Sequence, residues 1–366
     1  MRRTHHALRR IAMMTLSATA ALLLLPTAAS AEIVATPVTG ADLNVPTAFT
    51  FDPDGRIWYG ERFSGQIRIL DPDTGDDTLF AMVPNVKTEG ERGLLGIALH
   101  PDYPQRAFVY VYASRTVNGT PRNQILRYTD DAGSGTARRV VWNSPDSASS
   151  TNHNGGRIAF GPDGMLYAVV GDDAAPSNSQ DRTRNDRGKV LRMTPTGRVP
   201  SDNPFDSRIF AYGIRNSFGF AFDPRTGDLW ESENGPECND ELNRIRRGRN
   251  YGWGPNETCD GTAPRNTNRD GLRPVLPKEW WTPVIAPTGV AFCQRCGLGT
   301  KSRGRLFMAD WNGGRLRRLA LSADRTRVRG QRVVYDHGSG IFSLEVGPAG
   351  DLYLSDGSGI YLLERR

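Results

Sequence analysis

Short runs of apolar residues, separated by turns built on proline, aspartate and glycine, recur six times along the chain. Each copy contains a short apolar strand, a turn, and a second strand in which aromatic and aliphatic residues alternate. Alternation with a period of two predicts β-strands. The six copies lie at Phe49–Tyr59, Gly96–Tyr112, Ile158–Tyr167, Phe220–Trp230, Gly289–Met308 and Leu344–Tyr353.

A third strand follows most of these copies, and basic residues are interspersed among its aliphatic ones. The period of two places the aliphatic side chains toward a neighbouring sheet and the arginines toward water. Three such strands plus one more per repeat make the blade of a β-propeller. The third strands are Gln66–Leu70, Gln124–Tyr128, Lys189–Met193 and Arg315–Leu319.

The pattern predicts an all-β protein, a six-bladed β-propeller with four-stranded antiparallel blades. Six blades closed in a ring avoid exposed sheet edges. A strand near Glu32–Val38 would complete the last blade, which holds Leu344–Leu363. Helical periodicity is nearly absent, and 40 glycines and 24 prolines mark hairpin turns instead. We therefore expect residues 32–366 to form a single domain without a linker.

The first 31 residues have the composition of a cleavable signal peptide. Four arginines precede an apolar run from Ile11 to Leu25, and the small residues Ala29–Ala31 form a cleavage site. We therefore expect a secreted or periplasmic protein of about 335 residues. No later stretch reaches the roughly 20 apolar residues of a membrane helix, so we expect no membrane span.

The net charge argues against one class of partner. The whole chain carries a formal charge of +6, and removing the four arginines of the signal peptide lowers it to +2. A near-neutral protein is poorly suited to binding nucleic acid by neutralising its phosphates. We therefore expect no nucleic-acid partner.

Four cysteines, Cys238, Cys259, Cys293 and Cys296, lie in the second half of the chain. An exported compartment favours disulfides, although Cys293 and Cys296 also have the spacing of a zinc or redox pair. A redox pair usually begins a helix in a βαβ unit, whereas this pair ends a strand-like run. We expect Cys238 to pair with Cys259 and Cys293 with Cys296, and the sequence leaves the other two pairings possible.

The context of His153 suggests chemistry. This residue lies in the polar segment Thr151–Arg157, just before the first strand of the third copy, where two glycines allow a ligand to approach the backbone. A neutral imidazole at the mouth of a propeller channel can take a proton from an alcohol as a general base. The alternative is a histidine that only caps a turn, and turn or surface roles are what we expect for His100 and His337.

Arg215 and Asn216 also precede a repeat strand, so they should reach the same end of the ring as His153. A planar guanidinium binds carbonyls and carboxylates, and the amide adds a donor and an acceptor. The alternative for Arg215 is a surface ion pair.

The loop Glu233–Asn243 is rich in oxygen donors. Its Gly235–Pro236 pair can turn backbone carbonyls inward, and these could hold calcium together with one or two carboxylates. The spacing is not that of a helix–loop–helix calcium motif. From composition alone, an acidic surface loop is the alternative.

Several segments, in order along almost the whole mature chain, have the character of family signatures. They are Glu91–Gly96 with His100–Asp102, Asn152–Arg157, Gly188–Arg192, Gly213–Asn216, Glu233–Pro236 with Asn239–Glu241, and Asn250–Trp253. Together they resemble the glucose/sorbosone dehydrogenase family. The resemblance implies a soluble six-bladed propeller of the exported compartment that oxidises sugars with the cofactor PQQ.

The resemblance also implies catalytic roles. His153 is similar in position to the family's base, which removes the hydroxyl proton while hydride passes to the quinone. Arg215 matches a residue that contacts PQQ, polarises the quinone and stabilises charge as the quinone is reduced. Asn216 matches a second residue that contacts the cofactor.

Further residues match the lining and the metal site of the family. The resemblance implies that Glu91 and Asn152 add polar lining to the cofactor pocket. It implies that the carbonyls of Gly235 and Pro236 and the side chain of Asp240 bind the Ca²⁺ that positions and polarises the cofactor.

The chain departs from the family in the cations that bind the carboxylates of PQQ. Members that bind PQQ usually carry a basic pair, in a pattern like Arg-x-Arg-Asp, where this chain has Gly338–Leu344. A lysine that some members use on a cofactor carboxylate is replaced by Asn312, which we expect at the cofactor site. Each lost cation removes a charge-assisted bond of about 1–3 kcal/mol.

The sequence thus predicts a PQQ- and calcium-dependent dehydrogenase that takes a small sugar as substrate and reduces an external electron acceptor. Two alternatives remain. One is a calcium-dependent lactone hydrolase on a similar propeller, in which the metal would polarise a carbonyl and activate water. The other is a sugar- or protein-binding propeller without a cofactor.

Overall fold

Six four-stranded antiparallel sheets make up the computed structural model, which describes residues 32–144, 149–256, 259 and 273–366. Blade 1 contains β2 (Pro46–Phe51), β3 (Ile57–Glu61), β4 (Gln66–Leu70) and β5 (Asp77–Met82); blade 2 contains β6 (Leu94–Leu99), β7 (Phe108–Val117), β8 (Thr120–Asp131) and β9 (Ser134–Asn143); blade 3 contains β10 (Ile158–Phe160), β11 (Leu166–Val170), β12 (Lys189–Met193) and β13 (Ile209–Tyr212).

The second half of the chain forms three further blades. Blade 4 contains β14 (Ser217–Phe222), β15 (Leu229–Glu233), β16 (Asp240–Ile245) and β17 (Glu279–Trp281); blade 5 contains β18 (Pro287–Cys293), β19 (Arg305–Asp310), β20 (Arg315–Leu321) and β21 (Val328–Asp336); blade 6 contains β22 (Ser343–Val346), β23 (Leu352–Ser355), β24 (Ile360–Arg365) and the N-terminal strand β1 (Ile33–Pro37). In the described part of the chain, helix is limited to α1 (Ser177–Gln180) and two single 3₁₀ turns, Pro204–Asp206 and Thr300–Ser302. None of these helices is long and apolar enough to cross a membrane.

The ring closes as the sequence predicts. Strand β1 pairs antiparallel with β24, with Ile33 opposite Arg365 and Pro37 opposite Tyr361. Adjacent blades contact each other mainly through their first strands, and β2 of blade 1 contacts β22 of blade 6. The six-bladed, all-β prediction is therefore confirmed. Ile33–Arg366 forms one compact unit, and the predicted signal peptide, residues 1–31, lies outside the described residues.

The core lies between the faces of adjacent blades. Apolar side chains of neighbouring sheets interdigitate there, and the largest of them are aromatic. Trp58, Trp142 and Trp230 are almost completely buried, with at most 2% of their surface exposed. Burial of this apolar area is the main favourable contribution to the stability of the ring.

The prediction that the arginines of the third strands face water is wrong for blade 3, whose third strand carries two buried basic residues. Lys189 is fully buried, and its Nζ donates to the backbone oxygens of Asn178 (2.7 Å) and Ser179 (3.2 Å). Burial lowers the pKa of Lys189 to about 7. Arg192 is also buried, and its Nη1 lies 2.8 Å from Oδ1 of Asp202. Polar groups of the adjoining loops take the place of water around these two cations.

Both predicted disulfides are present, Cys238–Cys259 and Cys293–Cys296. No cysteine is left as a free thiol. The disulfide leaves Cys293 and Cys296 without the thiolates that would bind zinc.

The antiparallel order of the strands determines where functional side chains gather. In each blade the first strand begins, and the second strand ends, at the same end of the central channel. Loops that precede first strands and turns that follow second strands therefore meet at one mouth of the channel.

Candidate functional site

A cavity of about 430 Å³ opens at this mouth of the channel. Residues from all six blades line it, so it exists only in the closed ring. Its polar lining residues are Thr47, Arg62, Glu91, His153, Arg215, Asn216, Asn234, Asp240 and Thr288, and its exposed aromatic residues include Trp311.

The imidazole of His153 is oriented by a buried carboxylate. Its Nδ1 lies 2.6 Å from Oδ1 of Asp172, which is fully buried, and Nε1 of Trp253 donates to Oδ2 of the same carboxylate at 2.7 Å. A carboxylate at Nδ1 holds the ring proton there and leaves Nε2 as the acceptor. The side chain of His153 is 14% exposed and lines the cavity. This arrangement suits a general base.

Glu91 joins His153 to Asn216. Its Oε2 accepts from the backbone N–H of His153 (2.7 Å) and from Nδ2 of Asn216 (2.9 Å). Oδ1 of Asn216 in turn accepts from the N–H of Gly155 at 3.2 Å. The backbone of His153 has a φ of 58°, in the left-handed region that a non-glycine residue rarely adopts. The two bonds to Glu91 and Asn216 thus hold the strained segment that carries the imidazole.

Arg215 presents a guanidinium to the cavity. Its Nη1 donates to the backbone oxygen of Asn234 at 2.9 Å, and its Cζ lies 5.3 Å from the ring centroid of Trp253. Burial lowers the pKa of Arg215, and the carboxylates of Asp172 and Glu233 oppose this effect. Nε of Arg215 is buried and has no partner among the described residues. A buried donor without a partner is costly, and an acceptor atom of a bound ligand would satisfy it.

Asp240 fixes the oxygen-rich loop. It lines the cavity together with Gly235 and Pro236. Its Oδ1 accepts from the N–H of Gly235 (2.8 Å), and its Oδ2 accepts from the N–H groups of Ile285 (2.5 Å) and Ala286 (2.7 Å). Burial raises the pKa of Asp240, and the three N–H donors oppose this by stabilising the charged form. The carboxylate therefore positions the loop against the neighbouring blade.

The backbone carbonyls of Gly235 and Pro236 accept no backbone N–H from the described residues. A Cβ at Gly235 would lie 1.9 Å from the carbonyl oxygen of Cys238, so only glycine fits this turn. Calcium prefers oxygen donors of this kind together with carboxylates. Among the described residues, no group of three or more His, Cys, Asp or Glu side chains is arranged to hold a metal ion. A cation here would thus depend on the two carbonyls and Asp240.

A cluster of buried glutamates lies behind Arg215. Nδ2 of Asn243 is 3.4, 3.2 and 3.0 Å from carboxylate oxygens of Glu231, Glu233 and Glu241. Oε1 of Glu233 accepts from the N–H of Arg215 at 2.6 Å. Burial raises the pKa of Glu231 and of Glu233, and the neighbouring glutamates raise that of Glu233 further. The folded protein therefore holds protons in this cluster that the unfolded chain releases.

This cluster predicts a pH dependence of stability. Burial raises the pKa of Glu231 to about 8 from an ordinary value of 4.5. The favourable effect of its proton is fully present below pH 4.5 and is lost as the pH rises toward 8. In the presence of a chelator, the Tm should fall between pH 5 and pH 8, by roughly 2–4 °C for each kcal/mol. Glu231→Gln should make the decline shallower.

Thermal melts of both proteins across this pH range provide the measurement. Glu89→Gln is the control, because the Glu89 side chain is 53% exposed and should leave the wild-type decline unchanged. Equal slopes for wild type and Glu231→Gln would show that Glu231 is already ionised in the folded protein.

Two predicted cofactor ligands lie outside the cavity lining. Asn152 is exposed, and its N–H donates to Oγ of Ser150 at 3.0 Å. Asn312 is also exposed, and its Nδ2 lies 3.3 Å from the backbone oxygen of Val284. Their roles in cofactor binding stay predictions. Trp311, the residue before Asn312, lines the cavity instead.

Three functional candidates were not identified from the sequence: Arg62, Asp172 and Trp311. Each follows the second strand of its blade, after β3, β11 and β19 respectively. Glu91, His153 and Arg215, which the sequence did indicate, precede first strands instead. Because both kinds of segment meet at the same mouth, the residues after each second strand were the signal that could have found them.

The fold and the site together define a β-propeller with a ligand cavity of mixed polar and apolar lining at the channel mouth and a carboxylate-oriented histidine in its wall. The chain belongs to the glucose/sorbosone dehydrogenase family, whose profile matches residues 43–362. The sequence-based assignment to this family is confirmed.

Two characterised relatives match different shares of the chain. Quinoprotein glucose dehydrogenase B of Acinetobacter calcoaceticus is 34% identical over 243 residues, which is 58% of this chain and 51% of that protein, so the match spans about half of the relative. Aldose sugar dehydrogenase YliI of Escherichia coli K12 is 29% identical over 343 residues, covering 88% of this chain and 90% of that protein.

A solved structure is similar over nearly the whole chain. The PQQ-bound form of aldose sugar dehydrogenase from Streptomyces coelicolor superposes with a TM-score of 0.78 at 32% identity. The match covers 92% of this chain and 99% of that one.

Proposed function

We propose that the protein is a PQQ- and calcium-dependent dehydrogenase that oxidises an aldose or a related sugar and passes the electrons to an external acceptor. The observation that carries this proposal is the His153–Asp172 pair in the wall of a cavity that also contains Arg215. Relatives described as a quinoprotein glucose dehydrogenase and a PQQ-bound aldose sugar dehydrogenase support it.

The donors of the cavity fit a flat anionic quinone. Arg62 and Arg215 both line the cavity and come from blades 1 and 4, which lie on opposite sides of a six-bladed ring. Arg215 keeps an unpartnered Nε, and Asn216 lies beside it in the lining. The carboxylates and quinone oxygens of PQQ are acceptors for such donors. When bound, PQQ supplies a quinone that accepts hydride from the sugar carbon.

His153 moves the proton in this reaction. The sugar hydroxyl loses its proton to Nε2, and the charge of Asp172 stabilises the imidazolium that results. The guanidinium of Arg215 stabilises negative charge that develops in the cavity. Glu91 keeps the backbone of His153 in place through the 2.7 Å bond to its N–H. Each of these groups is fixed before the substrate enters, which limits reorganisation during the reaction.

Calcium fits the Gly235–Asp240 loop. The carbonyls of Gly235 and Pro236 and the carboxylate of Asp240 would hold the ion, which would act as a Lewis acid beside the cofactor. Asp240 would act both as a ligand and as the group that positions the two carbonyls.

The compartment we propose is the periplasm or the exterior of the cell. The composition of the first 31 residues supports export, and two disulfides are favoured in an oxidising environment. An electron acceptor would meet the protein in that compartment.

Chelation should lower the Tm of the wild-type protein. A site bound only in the folded state contributes about 2.7 kcal/mol when the free ion is at 100 times its Kd. Asp240→Asn should shrink the difference between melts with calcium and with chelator, because an amide cannot accept all three N–H bonds and carries no charge. Asp54→Asn, at an exposed turn of blade 1, is the control and should keep the full difference. Identical wild-type melts with and without chelator would show that the folded protein is not stabilised by calcium.

Reconstitution tests the proposed function itself. Protein supplied with PQQ and calcium should reduce an artificial electron acceptor when an aldose is added. Omission of PQQ should abolish this activity. Hydrolysis of lactones in calcium alone, with no oxidation of sugars, would replace the proposal by the hydrolase alternative. Sugar binding with neither activity would favour the cofactor-free binding protein.

A further inference from the structure

Trp311 and Phe342 form an aromatic pair in the lining of the cavity, and we call this pair the aromatic wall. Their ring centroids are 4.7 Å apart and the rings are tilted by 36°. Trp311 is 46% exposed. A large, partly exposed aromatic side chain inside a ligand cavity is a surface that a ligand can cover.

The aromatic wall is fixed to the predicted calcium loop. The N–H of Trp311 donates to the carbonyl of Ala286 at 2.8 Å, and the N–H of Asn312 donates to that of Ile285 at 3.1 Å. The N–H groups of Ile285 and Ala286 in turn donate to Asp240. The wall therefore has a defined position relative to the loop.

The wall includes part of the segment in which the resemblance to the family implies a basic pair. Gly340 and Phe342 lie in this segment. A Cβ at Gly340 would lie 2.3 Å from a ring carbon of Trp311, so the indole packs directly on this glycine. An arginine at position 340 would have to displace Trp311. This segment thus presents an aromatic surface where the resemblance implies cations.

The ring geometry places the wall across the cavity from His153. Phe342 precedes the first strand of blade 6, and His153 precedes that of blade 3. In a ring of six blades these two positions are opposite each other. A ligand that reaches His153 and extends across the cavity therefore meets the aromatic wall.

We propose that the aromatic wall binds the flat ring system of PQQ by stacking and replaces part of the affinity that the basic pair provides in the family. This inference rests on the proposed function. Stacking of a flat ring on an aromatic side chain changes Kd by roughly 10- to 100-fold. Stacking contacts are screened little by salt, whereas ion pairs are weakened by it.

Equilibrium dialysis of PQQ against the protein with calcium tests the proposal. Trp311→Leu should raise the Kd by roughly 10- to 100-fold. Trp311→Phe should largely preserve binding, because it keeps an aromatic face. The matched control is Trp280→Leu, since Trp280 is half-buried in β17 and outside the cavity lining. Phe342→Leu provides a second test if Trp311→Leu fails to fold.

The salt dependence of Kd gives a second readout. Gly340→Arg alone should weaken binding, because the new side chain displaces Trp311. Trp311→Leu combined with Gly340→Arg should recover affinity at low salt and lose it at high salt, whereas the wild-type Kd should depend on salt less steeply than that of this double variant.

The outcomes separate this inference from the proposed function. If wild-type protein fails to bind PQQ at millimolar concentration with calcium, the proposed function fails. If wild type binds and Trp311→Leu binds equally well, the aromatic wall has no role in cofactor binding and the inference is overturned. An unchanged Kd for PQQ with a raised KM for the sugar would also overturn it, because the wall would then belong to the substrate.

Discussion

Replacing His153 by glutamine should lower the rate of sugar oxidation by roughly 100-fold or more, because general-base catalysis contributes about 10²- to 10⁴-fold. Glutamine keeps a polar side chain of similar length but cannot accept the hydroxyl proton. The fold and the Kd for PQQ should change little, since the bond from Glu91 reaches the backbone of residue 153 rather than its ring. The measurement is kcat at saturating PQQ and calcium, with Kd from equilibrium dialysis.

A matched control is His337→Gln. The side chain of His337 is 7% exposed, and its Nε2 lies 3.2 Å from a carboxylate oxygen of Asp356, but it does not line the cavity. This variant should keep the wild-type kcat. If His153→Gln retained more than a fifth of the wild-type kcat, another group would have to be the base.

Replacing Asp172 by asparagine should also lower kcat by roughly 100-fold or more, by analogy with the loss seen when the orienting carboxylate of a catalytic triad becomes an amide. Oδ1 of Asp172 accepts from Ala174 (2.9 Å) and faces Nδ1 of His153, and Oδ2 accepts from Trp253 (2.7 Å). In one orientation, the new NH₂ group would face the N–H of Ala174 and would donate to Nδ1, which stabilises the wrong tautomer. In the other orientation it would face the indole N–H.

The Kd for PQQ and the KM for the sugar distinguish this positioning role from a general loss of structure. Asp172→Asn should lower kcat while both constants stay close to wild type, because Asp172 orients the imidazole and does not itself line the cavity. A misfolded variant would lose PQQ binding together with activity. Asp172→Asn with a kcat within threefold of wild type would contradict the assigned role.

The fold could be predicted from the sequence because its signals are local. Two-residue alternation and Pro-Asp-Gly turns mark each hairpin, and six copies imply a closed ring. The pairing of Ile33–Pro37 with Ile360–Arg365 followed from the need to complete the last blade. The burial of Lys189 could not be predicted in this way, because its partners are backbone oxygens of a loop whose path the strand pattern does not fix.

The candidate site was predicted only in part, for a related reason. Glu91, His153 and Arg215 lie in polar segments before first strands, where the sequence makes them conspicuous. Asp172 follows a second strand, and its proximity to His153 depends on how two loops of blade 3 fold back on each other.

The contacts of Asp240 could not be predicted either, because they join residues that are far apart in the sequence. The sequence suggested a metal ligand in an oxygen-rich loop. Its bonds to the N–H groups of Ile285 and Ala286, 45 and 46 residues away, depend on the packing of blade 4 against blade 5. Side chains that join blades require the assembled ring, which no local pattern describes.

The most direct test of the central claim is anaerobic absorbance spectroscopy of the protein loaded with PQQ and calcium. Addition of an aldose should bleach the absorbance of the oxidised quinone, and addition of an electron acceptor should restore it. The bleaching should be roughly 100-fold or more slower in His153→Gln, in line with the contribution of a general base. Absorbance of bound PQQ that stayed unchanged at saturating concentrations of a broad panel of aldoses would contradict the assignment of this protein as a sugar dehydrogenase.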